Sequence, residues 1–450
     1  MKIVIIGLGK VGQEIARALS GENHSIVAID KEQYLVDNLV HELDIIGYAG
    51  NGVVAEDQIN AGVKNADIVL AVTKSDETNV VSCLIAKVLG AKRTVARVRD
   101  PEYSTQSEFM RKMLGIDLVV NPDKEAADEI ARFLRYPSAE YVDTIGNGKA
   151  DLVGVRVDED SLLAGTSLNK LFSMIKFKVL ACVVERAGEV IIPWGETVFQ
   201  PGDIVYFTGN YRSLDALLRK ISPSTIINST LIVGGSRITH YLSQSLIESG
   251  HKVKIIEKNR EKCERLSEMF PKATVICSNG SDKKLLSEEG IDGVDSFITL
   301  TGDDEQNILL SLYAVSKKVE KVVTKINDFT FAELFNDMEL GSFVSPKRVA
   351  SEKLVRYTRA LETPHGSEIM ELYKIADDKA ELIMFGTREG SEILGKPLKE
   401  LRVRRGTLIA GIIRGREFIV PDGNSTIEVG DEVLVVSAED RYAHLDDVLR

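Results

Sequence analysis

Ile3-Val4-Ile5-Ile6-Gly7-Leu8-Gly9-Lys10-Val11-Gly12 decides the reading of this chain. Four apolar residues, the length of a buried strand, run straight into G-x-G-x-x-G, and a helical pattern follows from Val11 to Leu19. Each glycine has a physical task in such a turn. Gly7 makes the tight corner, Gly9 lets backbone approach a phosphate, and Gly12 lets the helix pack on the sheet. Backbone N–H groups at the helix start then face an anion. The string alone is weak evidence, but here it has the correct strand, helix and downstream acid.

That acid is Asp30, which closes the second strand and is placed to accept hydrogen bonds from ribose hydroxyls. A carboxylate there disfavours a 2′-phosphate, so NAD or a simple adenine nucleotide is expected over NADP. Capping of the next helix is the structural alternative for Asp30. Outward from the loop, β-branched runs at 3–6, 26–29, 45–48, 68–72, 94–98 and 117–120 alternate with helical stretches. This alternation predicts an α/β domain with a doubly wound parallel sheet. Residues 123–137 read as a helix ending before Pro137, able to reach a neighbouring subunit.

The chain then repeats itself. Ile5 to Gly12 returns as Ile232 to Thr239, His24 to Asp30 as His251 to Glu257, and Gly50-Asn51-Gly52 as Ser278-Asn279-Gly280. Thr73, Asp76, Glu77 and Asn79 match Thr301, Asp304, Glu305 and Asn307. After each large unit comes a small one with short strands, at Lys178 to Val184, Glu189 to Ile192 and Asp203 to Phe207 in the first copy. Its landmarks recur: Gly165 answers to Gly395, Ile192-Pro193 to Val420-Pro421, and Gly202-Asp203 to Gly430-Asp431. The expected layout is N–C–N–C. Rossmann-like domains at 1–124 and 228–348 are each followed by a small α+β domain, at 140–222 and 367–450, with a linker near Ser222-Pro223-Ser224.

Thr73 ends the fourth strand, and Thr73-x-x-Asp76 fits a capping box for the next helix. Its place at the carboxyl edge of the sheet also suits a ligand contact. Arg97 and Arg99 alternate on the fifth strand about Val98, with guanidinium groups suited to phosphate or to a carboxylate of a neighbouring subunit. In the second copy Ser236 and Thr239 replace two glycines, Glu257 keeps the acid, and Lys325 and Asn327 stand for the arginines. A weaker site or a purely structural domain is expected there.

Composition narrows the function. With 450 residues, 44% hydrophobic and 28% charged, the chain should fold throughout into several domains. A net charge of −12 argues against a surface for nucleic acid or anionic lipid. Arg402, Arg404 and Arg405 lie among Glu392 and Glu400 and read as a mixed solvated face. No apolar run approaches the roughly 20 residues of a membrane span. Lys10, Gln13 and Glu14 cut short the leader-like start, which reads as the first strand of a cytoplasmic protein. The four cysteines, Cys83, Cys182, Cys263 and Cys277, include no CxxC pair and read as reduced thiols in or near cores. None of the six histidines stands in an evident catalytic or metal-binding pattern, so no catalytic residue and no metal ligand is assigned.

The run KIVIIGLGKVGQEIA, the strand-ending Asp30, the segment ADIVLAVTKSDETN and the GTSLNKL…PGDIVYF domain resemble domains that regulate potassium conductance (RCK domains). The duplicated layout over essentially the whole chain resembles the TrkA family, peripheral subunits of the Trk potassium-uptake system. The resemblance implies a homo-oligomeric ring, a tetramer, beneath a Trk-type membrane potassium-channel subunit at the inner face of the cell membrane. It also implies NAD or NADH and ATP or ADP at the glycine loops. Carried over by position, the first site comprises Gly7, Leu8, Gly9, Lys10, Val11 and Gly12 around the phosphates. Asp30, Asn51, Thr73 and Lys74, with Arg97, Val98 and Arg99 at the far edge, complete it. The second comprises Gly234, Gly235, Ser236, Arg237, Ile238, Glu257, Asn279 and Thr301. An NAD-dependent oxidoreductase is the competing class, and a sensor of another small molecule bound in the small domains is a third.

Overall fold

Strand β1 (Lys2–Ile6) is apolar after its first residue because it lies at the middle of a parallel sheet covered on both faces. Around it stand β2 (Ser25–Asp30), β3 (Ile46–Ala49), β4 (Ile68–Ala71), β5 (Arg93–Arg97) and β6 (Leu118–Val120). The order β3-β2-β1-β4-β5-β6 is that of a dinucleotide-binding sheet, reversing direction between β1 and β4. Val11, Ile15, Ala16 and Leu19 form the buried stripe of the helix Lys10–Ser20. The computed structural model describes all residues except 22–23, 105, 147, 176, 222–226, 328–340, 362–367, 377–378, 439–441 and 450. The linker expected near Ser222-Pro223-Ser224 therefore lies outside the described residues.

A five-stranded antiparallel sheet follows, made of β7 (Tyr141–Ile145), β8 (Ala150–Arg156), β9 (Val179–Arg186), β10 (Glu189–Ile191) and β11 (Ile204–Gly209) in the order β10-β9-β11-β8-β7. The second large domain repeats the first with β12 (Ser229–Val233), β13 (Lys252–Glu257), β14 (Thr274–Cys277), β15 (Ser296–Thr299), β16 (Lys321–Lys325) and β17 (Ser342–Val344). Their order, β14-β13-β12-β15-β16-β17, is the same. The last sheet holds β18 (Ile369–Ile375), β19 (Ala380–Gly386), β20 (Thr407–Arg414), β21 (Glu417–Ile419) and β22 (Glu432–Ser437). It runs β18-β19-β22-β20-β21, again the order of its counterpart. The expected fold class is thus present twice: a Rossmann-like parallel sheet, then a small antiparallel α+β domain. No helix among the described residues is long and apolar enough to cross a membrane.

Domains that alternate along the chain pair with their own kind in space. One compact unit joins Met1–Leu134 to Ile226–Thr358, and the other joins Arg135–Thr225 to Arg359–Arg450. In the first unit the helix Pro122–Arg135 carries Ala126, Ala127, Ile130, Ala131 and Leu134 into one core with Ile232, Ile238, Leu242 and Leu246 of the second large domain. The neighbour expected for this helix is therefore another domain of the same chain. Lys353 Nζ of the second domain also meets Glu125 Oε1 of that helix at 2.5 Å.

In the other unit, Leu152, Cys182 and Tyr206 share a core with Leu382, Met384, Ala410 and Leu434, so the two small sheets pack face to face. Thr208 Oγ1 donates to Ala410 O at 2.9 Å across that seam. The repeated Gly-Asp landmarks have one structural reason. Asp203 and Asp431 each accept a paired contact from an arginine, Arg186 and Arg414, that pins the turn to the sheet.

Candidate functional site

The first glycine loop separates into residues the fold needs and one it does not. Gly7 has φ +100°, and a Cβ there would stand 2.8 Å from Thr73 Cα. A Cβ on Gly12 would lie 1.9 Å from Gly7 O. On Gly9 it would meet nothing within 4 Å, although Gly9 is the N-cap of the helix Lys10–Ser20. No side chain caps that helix and no acidic residue stands in its first turn. Its leading N–H groups and the positive end of its dipole consequently make an arrangement chemically suited to an anion.

Asp30 holds this loop from the sheet side. Its Oδ2 accepts from Leu8 N at 2.6 Å and its Oδ1 from Glu32 N at 3.0 Å. The cap of the next helix is Glu32, with no side-chain cap bond, so the capping alternative for Asp30 does not hold. Leu8 and Val11 are buried and Lys10 is exposed. Asn51 sits in the turn just after β3, where its N donates to Asp57 Oδ2 and its Oδ1 accepts from Val53 N.

At the far side, Thr73 is not the helix cap expected from Thr73-x-x-Asp76. Ser75 takes that role, accepting from Thr78 N, two residues later than the sequence pattern suggested. Thr73 instead turns its hydroxyl and N–H to Asn79 Oδ1, both at 2.7 Å, and Asn79 Nδ2 reaches Arg97 O at 2.8 Å. The fully buried Asn79 is thus the hinge pin between β4 and β5. Its signal was visible as the repeated Thr-x-x-Asp-Glu-x-Asn, which marked only register in the sequence.

Arg97 ends β5, while Arg99 lies beyond the strand, so the two do not alternate along it as expected. Neither is paired chiefly with a carboxylate. Arg97 Nη2 donates to Thr73 O at 2.7 Å and Arg99 Nη2 to Lys74 O at 2.6 Å, while Asp76 Oδ2 accepts from Arg99 N at 2.8 Å. Val98 is buried between them. Burial, then the neighbouring Arg99, pushes Arg97 down to about 10. Its Nε is buried without a hydrogen-bond partner.

Asp123, Arg237 and Lys325 join these arginines where the two large domains meet. Burial raises the Asp123 carboxyl, against the opposing pull of Arg237, Arg99, Arg97 and Lys325. Arg237 Nη1 is 4.0 Å from Asp123 Oδ2, and Tyr241 OH meets Asn121 Nδ2 at 2.8 Å. Arg237 therefore serves the boundary of the first site although it belongs to the second glycine loop. Sequence reading could not place it there, since Asp123 and Arg237 are far apart along the chain.

The second loop keeps the scaffold and loses the seat. Gly234 has φ +110°, Gly235 N donates to Glu257 Oε2 at 2.5 Å, and Thr301 binds Asn307 as Thr73 binds Asn79. Lys325 Nζ reaches Thr301 O at 2.9 Å, the contact Arg97 makes in the first copy. Asn279 sits in the turn after β14, accepting from Ser281 N, and Ile238 is buried. Ser236 and Thr239, however, form a reciprocal capping box over the helix Arg237–Glu248. N–H groups left open in the first copy are here occupied by the chain itself.

Family models match in tandem: the TrkA-N domain at residues 3–122 and 230–346, and the TrkA-C domain at 152–222 and 385–450. The chain belongs to the TrkA family. It is 32% identical over 447 residues to Trk system potassium uptake protein TrkA homolog 1 of Methanosarcina mazei, covering 97% of each chain. It is 31% identical to the Trk system potassium uptake protein TrkA of Halomonas elongata, covering 98% of this chain and 96% of that one. Among solved structures, the GsuK RCK domain superposes with a TM-score of 0.64 at 19% identity, over 97% of this chain and 92% of that one. The GsuK channel bound to NAD gives 0.64 at 19% identity, over 97% and 77%. These two show a shared fold. In this member of the TrkA family, the first of the two parallel-sheet domains has the uncapped glycine loop and the second has the capped one.

Proposed function

We propose that this TrkA-family chain is the nucleotide-responsive regulatory subunit of a Trk-type potassium transporter, acting by binding and not by catalysis. The observation that carries the reading is the side-chain-free, uncapped position at Gly9, flanked by two glycines that packing demands. NAD or NADH, and ATP or ADP, would lie with phosphates on the helix Lys10–Ser20 and ribose at Asp30. The NAD-bound state of the GsuK channel, a protein of the same fold, supports the ligand class. An anion at Gly9 adds charge beside Thr73, Arg97 and Arg99, and through Asp123 and Arg237 acts on the boundary of the two large domains.

A nucleotide that binds two arrangements of that boundary unequally shifts their ratio by its differential affinity. Subunits in a ring, a tetramer beneath the membrane potassium-channel subunit at the inner face of the membrane, would add such shifts on a common partner. No bond needs to be made or broken. The deciding measurement is potassium flux into proteoliposomes carrying the cognate channel subunit, with and without this protein, under NADH, NAD, ATP and ADP. Flux should change with the protein and differ between nucleotides, with every nucleotide recovered intact. Flux indifferent to the protein under all ligands, or steady oxidation of NADH, would refute the reading.

Asp30 gives a finer test. Asp30→Ala removes both the ribose acceptor and the tie to Leu8 N, so NADH affinity should fall by about 1–3 kcal/mol. Calorimetry with unchanged affinity would show that this carboxylate serves the loop alone.

A further inference from the structure

Beneath the second glycine loop, two thiols bracket one residue. Glu257 ends β13, and its register partner on β14 is Cys277. The carbonyl oxygen of Glu257 accepts from Cys263 Sγ at 3.1 Å and from Ser278 N at 3.0 Å. Cys263 lies in the opening turns of the helix Arg260–Met269. Along β14 the side chains alternate: Val275 packs in the cluster of Leu266 and Phe270 from that helix, and Ile276 in the cluster of the opposite face. Cys277, two residues beyond Val275, therefore faces the helix that carries Cys263.

Cys263 is only 5% exposed, whereas Cys277 is exposed, contrary to the expectation that all four cysteines lie in or near cores. In the first copy, Val36 and Ala49 hold the matching places, so packing on this sheet has no need of sulfur. The side chain of Glu257 binds Gly235 N and Asn259 N, joining the glycine loop to the start of the helix that bears Cys263.

We propose that Cys263 and Cys277 form a reversible intramolecular disulfide on exposure to a peroxide, and that this bond stiffens the second glycine loop through Glu257. The exposed Cys277 meets the oxidant. Its sulfur attacks one peroxide oxygen, the O–O bond breaks, and the leaving hydroxide takes a proton to give water and a sulfenic acid. The sulfur of Cys263 then attacks that of Cys277, losing its proton to the departing hydroxyl as a second water. Two electrons pass from the thiol pair to the peroxide, and a dithiol returns them. Burial pushes the Cys263 thiol up to about 12, so the first attack falls to the exposed Cys277 and not to Cys263.

The test uses the full chain treated with a few equivalents of hydrogen peroxide. Intact mass should fall by about 2 Da, the two hydrogens lost in forming one disulfide. Peptide mapping should find Cys263 joined to Cys277, and dithiothreitol should restore both thiols. Cys263→Ser should stop the reaction at a sulfenic acid on Cys277 that dimedone captures, and Cys277→Ser, an exposed and conservative change, should abolish it. Amide exchange across 234–239 should slow in the oxidised wild type and stay unchanged in Cys277→Ser. Disulfide-linked dimers through Cys277, sulfinic acid on Cys277 with Cys263 free, or an oxidised protein with unaltered loop exchange would each overturn the proposal.

Discussion

Gly9→Val should cut nucleotide binding at the first loop by two orders of magnitude or more, on the order of 3 kcal/mol, while the protein still folds. The added side chain points into open space, so its cost to the fold is no more than about 1 kcal/mol, the ordinary difference between glycine and a β-branched residue at an N-cap. A ligand phosphate drawn to the same N–H groups would meet two methyl groups. Gly12→Ala inverts the pattern, because its Cβ would fall 1.9 Å from Gly7 O and must move backbone. It should destabilise the domain by about 1–3 kcal/mol or more. Ser236→Val should change total binding far less than Gly9→Val, since Ser236 and Thr239 already close the second seat. Calorimetry paired with thermal unfolding separates these cases. Full nucleotide affinity in Gly9→Val would mean that no phosphate approaches this loop.

Ile130→Asp should cost on the order of 4 kcal/mol, and should loosen a domain to which Ile130 does not belong in sequence. Ile130 is fully buried on the helix Pro122–Arg135, in the core it shares with Ile232, Ile238 and Leu242. A lone carboxylate there has no partner and little water. Ile130→Ala, a milder change, should cost about 2–5 kcal/mol through lost burial and a cavity. Hydrogen exchange along β12, more than ninety residues away in the chain, is the informative readout. Unaltered protection of β12 in both variants would show that the two large domains do not depend on each other.

What was legible in the sequence was whatever a short window determines. The buried strand, the glycine turn and the amphipathic helix from Lys10 are local patterns, and duplication made each visible twice. Asp30 was legible because the strand places it beside Leu8 N whatever else the chain does. Of the two roles that the sequence offers Thr73, capping fails because Ser75, two residues later, competes for the same helix end with a better-placed hydroxyl. Arg99 was put on a strand that stops at Arg97, where Asp76 takes over its backbone N–H. The pairing of like domains, the arrival of Arg237 at Asp123, and the two thiols at Glu257 depend on segments that meet only in three dimensions. No periodicity carries that information.

The helix Pro122–Arg135 has a consequence for how the chain is made. Its apolar face is covered by Ile232, Leu242 and Leu246, which leave the ribosome roughly a hundred residues later. At about 5–20 residues per second this is a wait on the order of ten seconds, with Ala126, Ala127, Ile130 and Leu134 unsheltered. A half-length product ending after the first small domain would never find that cover within itself. It would have to take it from a second molecule of its own kind, making a dimer by exchange of this helix. The duplicated gene product can be understood as that dimer written on one thread, in which the partner is guaranteed by translation instead of by concentration.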